Sequence, residues 1–384
     1  MRRGAYLAGA AFAVLALIVA SGVTHASVVK QSIPDLIRQA DVVVHGRVTD
    51  TTSFWQGTTI VTEVTIDVKT TIFGSPGNQV IVTLPGGIVG DIGLEVSDTP
   101  EFQRGKESVV FLGNGRNGDF QVLGAVQGKV DVVGGNVPAW NLPLDEFIAR
   151  VAAGGIGLEE HAAKPPGTPG GGGGGKGDKG DEACYLLCKI DWKRNGEQDN
   201  DGIYSPKLED DQGGNWSINN NSQDWPNDDA ALVAELGDSA KVWTDNAGAR
   251  WSLGALNATV THDSRLTNAS FDGRNVVSFG YTGNAVAVTA NWFYRNARKH
   301  TIETDFLFND IDNDFGINVP ESNSEFDLKN VAVHEFGHWI CLGDQYNDSD
   351  FDHVMYGFVE VGETKNWTLH QCDMDGAQAV YGTP

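Results

Sequence analysis

The sequence predicts two folded parts: an all-β sandwich or barrel over residues 27–152, and an α+β domain over residues 183–384. The second part is expected to hold a five-stranded mixed sheet and three helices. Three observations carry this. Residues 41–135 alternate apolar and polar positions in short runs broken by Gly, Asn and Pro. A stretch of Gly and Pro interrupts the chain at 153–182. Beyond it, helical and strand-like patterns are mixed.

In the first part the strand-like runs are Val42-Val43-Val44 and residues 60–68, 80–84, 109–112 and 130–133. Their length and spacing suit a sandwich or small barrel. A short helix at 33–39 precedes them, and one at 144–151, with apolar residues at helical spacing, closes the part. The boundary is marked by Pro165-Pro166, six glycines from Gly170 to Gly175, and Gly-Lys-Gly-Asp-Lys-Gly-Asp. That Gly-x-y period is too short for a collagen helix, so the segment reads as a flexible linker open to proteolysis.

In the second part Ala230, Leu232, Val233, Leu236, Ala240 and Val242 mark a helix over 228–244. Strands are expected at 250–261, 276–281, 285–293 and 301–308. A helix starts after Asp327, an N-cap residue, and carries Val331, Val333, Phe336 and Ile340. A last helix spans 373–381. Strands mixed with helices in this order give an α+β class.

Composition narrows the function. The 384 residues are 40% hydrophobic, an ordinary globular value, and carry a net charge of −24. Arg2 and Arg3, an apolar run from Ala8 to Ala20 and the ending Thr24-His25-Ala26 read as a secretory signal over residues 1–26. The run is short for a membrane anchor. Losing it takes the charge to −26, because only the two arginines leave. A surface this acidic repels phosphate backbones and anionic lipid, which argues against nucleic-acid or membrane partners. Export also favours disulfides. Cys184, Cys188, Cys341 and Cys372 allow three pairings, of which 184–188 with 341–372 is the simplest.

The chemistry lies in His334-Glu335-Phe336-Gly337-His338. On a helix, positions i and i+4 share a face, so both imidazoles can hold one Zn²⁺. Glu335 then stands beside the metal, placed to take a proton from water held there. A catalytic zinc needs about three protein ligands and one open position. Asp344, six residues on and followed by Tyr346, offers the third ligand, with His353 as an outside candidate.

The segment Val331-Ala332-Val333-His334-Glu335-Phe336-Gly337-His338 resembles the active helix of the matrixin-type metzincins. Val354-Met355-Tyr356 resembles their Met-turn, and Asp373-Met374-Asp375-Gly376 running to Tyr381-Gly382 resembles their last helix. Upstream, residues 283–287 are similar to the upper-rim edge strand and 303–309 to the strand after it. The likeness spans roughly 215–384 and leaves out the β domain. It implies a secreted, monomeric zinc endopeptidase acting on protein or peptide. His334, His338 and Asp344 would bind zinc and Glu335 would act as general base. Met355 would floor the site, and Tyr356 would line the pocket for the residue after the scissile bond. Substrate would lie extended and antiparallel along the strand near Ala285–Thr289, against Ala285 and Ala287. Asp344 replaces the usual histidine, as in the snapalysin-like metzincins. Cys341 replaces the glycine that normally turns the chain out of the helix, at a cost of about 1–2 kcal/mol for a residue with a Cβ.

Matrixins are often kept latent by a prosegment cysteine at the open zinc position. Cys184 and Cys188 precede the catalytic part, but neither sits in a Pro-Arg-Cys-Gly-type motif, and a local disulfide is the simpler reading. The acidic stretches 199–202 and 309–314 suit either a structural Ca²⁺ or solvated turns; neither has EF-hand spacing. Three functional readings follow: an exported endopeptidase, an exported binding or adhesion protein that keeps the fold with little hydrolysis, and a β domain that acts as an inhibitory prodomain.

Overall fold

A computed structural model describes residues 28–115, 119–158, 184–187, 215–225, 228–249, 256–257, 259–264, 268–295, 301–319 and 324–383. The expected signal segment, most of the linker, Cys188 and the acidic stretch 199–202 lie outside the described residues.

The N-terminal part opens with α1 (Ile33–Gln39), started by a Ser32–Asp35 capping box and Pro34. Eight strands follow: β1 (Val42–Gln56), β2 (Thr59–Phe73), β3 (Gln79–Pro85), β4 (Gly87–Val89), β5 (Ile92–Val96), β6 (Glu107–Asn114), β7 (Phe120–Val122) and β8 (Lys129–Val132). Two short strands, β9 (Asn136–Val137) and β10 (Leu142–Pro143), lead into α2 (Leu144–Ala152). The ladder β1-β2-β3-β7-β6 closes on itself because β6 pairs back to β1, so this part is a barrel rather than a sandwich. Strand periodicity explains its two cores. Val42 and Val44 point inward with Val64, Ile66, Val82 and Leu112. Val43, one step out of phase, joins Val109 and Phe111 under Leu36 of α1 and Phe147 of α2.

The C-terminal part contains β11 (Leu186–Leu187), β12 (Trp216–Ile218), α3 (Asp229–Asn246), β13 (Asn275–Phe279), β14 (Ala287–Tyr294), β15 (Thr301–Phe308), β16 (Phe315–Gly316), β17 (Phe326–Asp327), α4 (Leu328–Trp339), β18 (Leu342–Gly343) and α5 (Gln371–Tyr381). Its sheet differs from the five strands expected. The order is β12-β13-β15-β14-β5-β4, so this part supplies four strands and the hairpin β4–β5, between β3 and β6 of the barrel, supplies two. The strand expected at 250–261 is absent among the described residues, where Leu256 and Thr261 make only isolated bridges to Trp216 and Asn219. The place beside β13 belongs to β12, too short to show a period.

Both α3 and α4 belong to the main core of this part. Phe336 of α4 packs edge-on against Phe306 and Trp216 at ring distances of 5.3 and 5.2 Å. Trp243 of α3, fully buried, donates its Nε1–H to the Val333 carbonyl at 2.7 Å. A second apolar cluster of Ile60, Leu94, Ala290 and Trp292 is shared between the two parts.

Candidate metal centre

The site is built on α4. Asp327 caps it by accepting from the Asn330 N–H at 2.8 Å. Nearly every side chain of this helix is buried. His334 and His338, one turn apart, face the same side, with ring centroids 4.7 Å apart. His334 Nδ1–H donates to the Val354 carbonyl at 2.7 Å, and His338 Nδ1–H donates to the Leu342 carbonyl at 2.9 Å. Those bonds commit each Nδ1 and turn each Nε2 inward, where its lone pair is available to a metal once the proton is displaced.

The helix ends at Trp339. Cys341 then adopts φ 68°, the left-handed turn that normally selects glycine, and its N–H bonds the His338 carbonyl at 2.9 Å. β18 pairs with β11, so the chain doubles back and brings Asp344 over the histidine face. Its Oδ1 lies 3.1 Å from His334 Nε2 and 3.2 Å from His338 Nε2, and the two nitrogens are 3.0 Å apart. Asp344 Oδ1 nevertheless makes no aligned hydrogen bond. Two lone-pair nitrogens and a carboxylate oxygen facing one another repel, unless a cation sits among them. Ligand atoms about 2.0 Å from a tetrahedral zinc stand about 3.3 Å apart, close to this triangle. The donor set therefore fits zinc.

Electrostatics repeat the point. Burial alone would lower the His338 pKa, but Asp344, with Glu335 and Asp98, pushes it up to about 10. Burial would raise Asp344, yet His338 and His334 hold it far below the usual carboxylate range. The pocket demands positive charge.

Glu335 is fully buried, and its Oε2 accepts from Thr289 Oγ1 at 2.6 Å. Thr289 belongs to β14, so the edge strand orients the carboxylate. Met355, 2% exposed, lies under the helix: a Cβ at Gly337 would strike its Sδ, which is why glycine stands between the two histidines. The turn bearing Met355 is held by Asp373 of α5, which accepts from the Val354 and Met355 N–H groups at 2.9 and 3.2 Å. Tyr356 is buried, packs edge-on to Phe358 and donates to Asp348 at 3.3 Å. Ala285 and Ala287 are buried on the edge segment; Ala285 bridges Val28 and Ala287 pairs with Phe308.

His353 is not brought to this centre. It stacks on His370 at 4.3 Å and bonds Gln345, beside Cys372. The simple disulfide pairing is overturned. Cys184 bonds Cys372, because the β11–β18 pairing carries Cys184 past the end of α4 toward α5. Cys341 is disulfide-bonded as well, and no described cysteine is free. An oxidised Cys184 cannot serve as a thiolate switch. In the acidic stretch 309–314, Asp310 accepts from the Gln223 N–H and Asn309 donates to the Ala285 carbonyl.

Sequence reasoning missed Asp98, the hold of Thr289 on Glu335 and the hold of Asp373 on the Met355 turn. Asp373 could have been found as the partner three residues after His370 in a capping box. Asp98, from the barrel, is 6% exposed, and its Oδ1 accepts from Tyr346 at 2.5 Å. Burial, with Asp344 alongside, raises its pKa well above the usual carboxylate range.

The helix with two histidines and a glutamate and the methionine turn beneath it are the features whose sequence resembles the metzincins; the carboxylate of Asp344 stands where their histidine would. Residues 210–382 match the matrixin family model, and this segment is a matrixin-like metzincin domain. Neutrophil collagenase of Homo sapiens is 41% identical over 61 residues, 16% of this chain and 12% of that protein. Metalloendoproteinase 1 of Glycine max is 42% identical over 59 residues, 15% of this chain and 18% of that protein. The chain thus spans under a fifth of the length of these relatives.

Proposed function

We propose that the chain is a secreted zinc-dependent endopeptidase acting, as a monomer, on protein or peptide. The observation that carries this reading is the triangle of His334 Nε2, His338 Nε2 and Asp344 Oδ1, with both Nδ1 atoms committed to backbone carbonyls. His334, His338 and Asp344 would hold zinc, which supplies Lewis acidity toward the scissile carbonyl and the attacking water. Glu335, oriented by Thr289, takes the proton of that water and passes it to the leaving amine. Met355 forms the apolar floor. Substrate adds as a strand along Ala285, Ala287 and Thr289, with Tyr356 beside the pocket that follows the scissile bond. Export rests on the N-terminal sequence pattern, and no described helix is long and apolar enough to cross a membrane. A structural Ca²⁺ is not needed by this reading.

The test is zinc content and cleavage of casein by the intact chain and by Glu335→Ala. The proposal expects one zinc in both and cleavage only with Glu335 present. A second reading, an exported binding protein with little hydrolysis, is favoured by the pairing of β14 with β5, which occupies Ala290–Tyr294 directly beside the edge residues a substrate would use. Zinc binding without cleavage under any condition would decide for it.

A further inference from the structure

Behind the methionine turn stands a second group of donors that the first centre does not use. His353 and His370 stack with ring centroids 4.3 Å apart and planes 21° from parallel. Their donor nitrogens and the Cys372 sulfur lie within 4.8 Å of one another. That sulfur is bonded to Cys184, so it cannot act as a thiolate ligand. A carboxylate is at hand instead. Asp352 Oδ1 lies 3.8 Å from His353 Nε2, and Asp352 Oδ2 lies 4.0 Å from His370 Nε2. Both rings thus aim the same nitrogen at one acid, and among the described residues no lysine or arginine pairs with it.

The surrounding bonds suit metal-bound imidazoles. His353 Nδ1–H donates to Gln345 Oε1, and Gln345 Nε2–H donates to the Cys184 carbonyl. That chain commits Nδ1 and leaves Nε2 for a ligand bond. His370, at the start of α5, accepts from the Cys372 N–H through Nδ1 at 3.2 Å. A metal at its Nε2 moves the ring proton to Nδ1 and takes the place of that one bond. The His370 N–H still donates to Asp373 at 2.9 Å, so the helix keeps the other half of its capping box. Ligand atoms on a tetrahedral zinc stand about 3.3 Å apart. The gaps here are slightly wider, and the Asp352 side chain, 54% exposed, can turn to close them while His353, at 6%, stays fixed. Two imidazole nitrogens with one carboxylate suit a late first-row divalent ion rather than calcium or magnesium.

We propose that His353, His370 and Asp352 form a second metal site, for zinc or a similar late first-row divalent ion, with water completing its shell. It stands independently of the peptidase reading. Its place gives it a task. Val354, the next residue, accepts from His334 through its carbonyl, and its N–H is held by Asp373, the capping partner of His370. A metal joining His353 to His370 therefore ties the turn beneath α4 to the start of α5.

The test is titration of the full-length protein with Zn²⁺ alone, followed by calorimetry and elemental analysis. Wild type is expected to bind two zinc ions, the second raising the melting temperature by at least about 3 °C. His353→Gln/His370→Gln should keep one zinc and lose that rise. Asp352→Asn should keep both ions and weaken the second at least about tenfold. His334→Gln/His338→Gln should still bind one. A second ion that survives His353→Gln/His370→Gln, or no zinc in His334→Gln/His338→Gln, would overturn the proposal and leave the peptidase reading standing. One ion in wild type, lost only when His353 and His370 are replaced, would keep this site and end the peptidase reading. Should the glutamine pairs fail to fold, wild type holding one zinc is given one Cu²⁺ and read by electron paramagnetic resonance. Coupling to two nitrogens is expected, and a copper signal without nitrogen coupling would overturn the proposal.

Discussion

Replacing Gly337 by alanine sets two effects of known size against each other. Alanine improves the helix by about 1 kcal/mol. Its Cβ, however, would strike Met355 Sδ and come within 2.9 Å of Trp243 Cζ2. Trp243 is fully buried and tied to Val333, and the Met355 backbone is fixed by Asp373, so neither neighbour can retreat far. Overpacking of this kind costs about 1–3 kcal/mol, and the fixed neighbours place it near the upper end. The net expectation is a loss of about 2 kcal/mol, a fall in melting temperature of roughly 4–8 °C for a domain of about 200 residues. Calorimetry of metal-free protein measures it. Gly337→Ala/Met355→Ala should lose at least about 1 kcal/mol less than the two single variants together, because they share one contact. A Gly337→Ala protein as stable as wild type, or additive losses in the pair, would refute the packing of Met355 against α4.

Asp344→Ala removes one donor of three and should weaken zinc at least tenfold in chelator competition; unchanged affinity would remove Asp344 from the set. Cys184→Ser with Cys372→Ser opens a link between residues 188 apart in sequence, worth up to about 5 kcal/mol by loop closure, and should lower the melting temperature under non-reducing conditions. Burial pushes the Glu303 pKa up to about 7, above its ordinary value of 4.5. A raised folded-state pKa favours the protonated form, so its contribution is full below about 4.5 and is lost as pH rises through about 7. In EDTA the melting temperature should therefore fall from pH 5 to pH 8, and Glu303→Gln should flatten that slope.

How far the sequence could be read depended on the distance between the parts. His334, Glu335 and His338 were legible because helical spacing alone brings them together. Asp344 was legible as a downstream oxygen donor, but its arrival depends on the left-handed turn at Cys341 and on β11 pairing with β18, neither of which leaves a local pattern. The cysteine pairing misled for the same reason: nearness in sequence was the guide, whereas the antiparallel contact of Leu186–Leu187 with Leu342–Gly343 decided it. The alternation of Val42, Val43 and Val44 announced a β domain; closure into a barrel needed β6 to find β1 across some sixty residues of chain. Asp98 was invisible, since it meets Tyr346 at a separation of 248 residues, in the turn after a strand that joins the sheet of the other part.

The cluster of Ile60, Leu94, Ala290 and Trp292 has a consequence for any protease that meets the glycine run. Scission there breaks the peptide chain but not the association. The nicked product should travel as a two-chain heterodimer, its pieces co-eluting in native buffer and parting only in denaturant. Pulling them apart would wet Trp292 and strip Ala290–Tyr294 of its ladder partner at once, so release is a single cooperative event that hydrolysis makes available without completing.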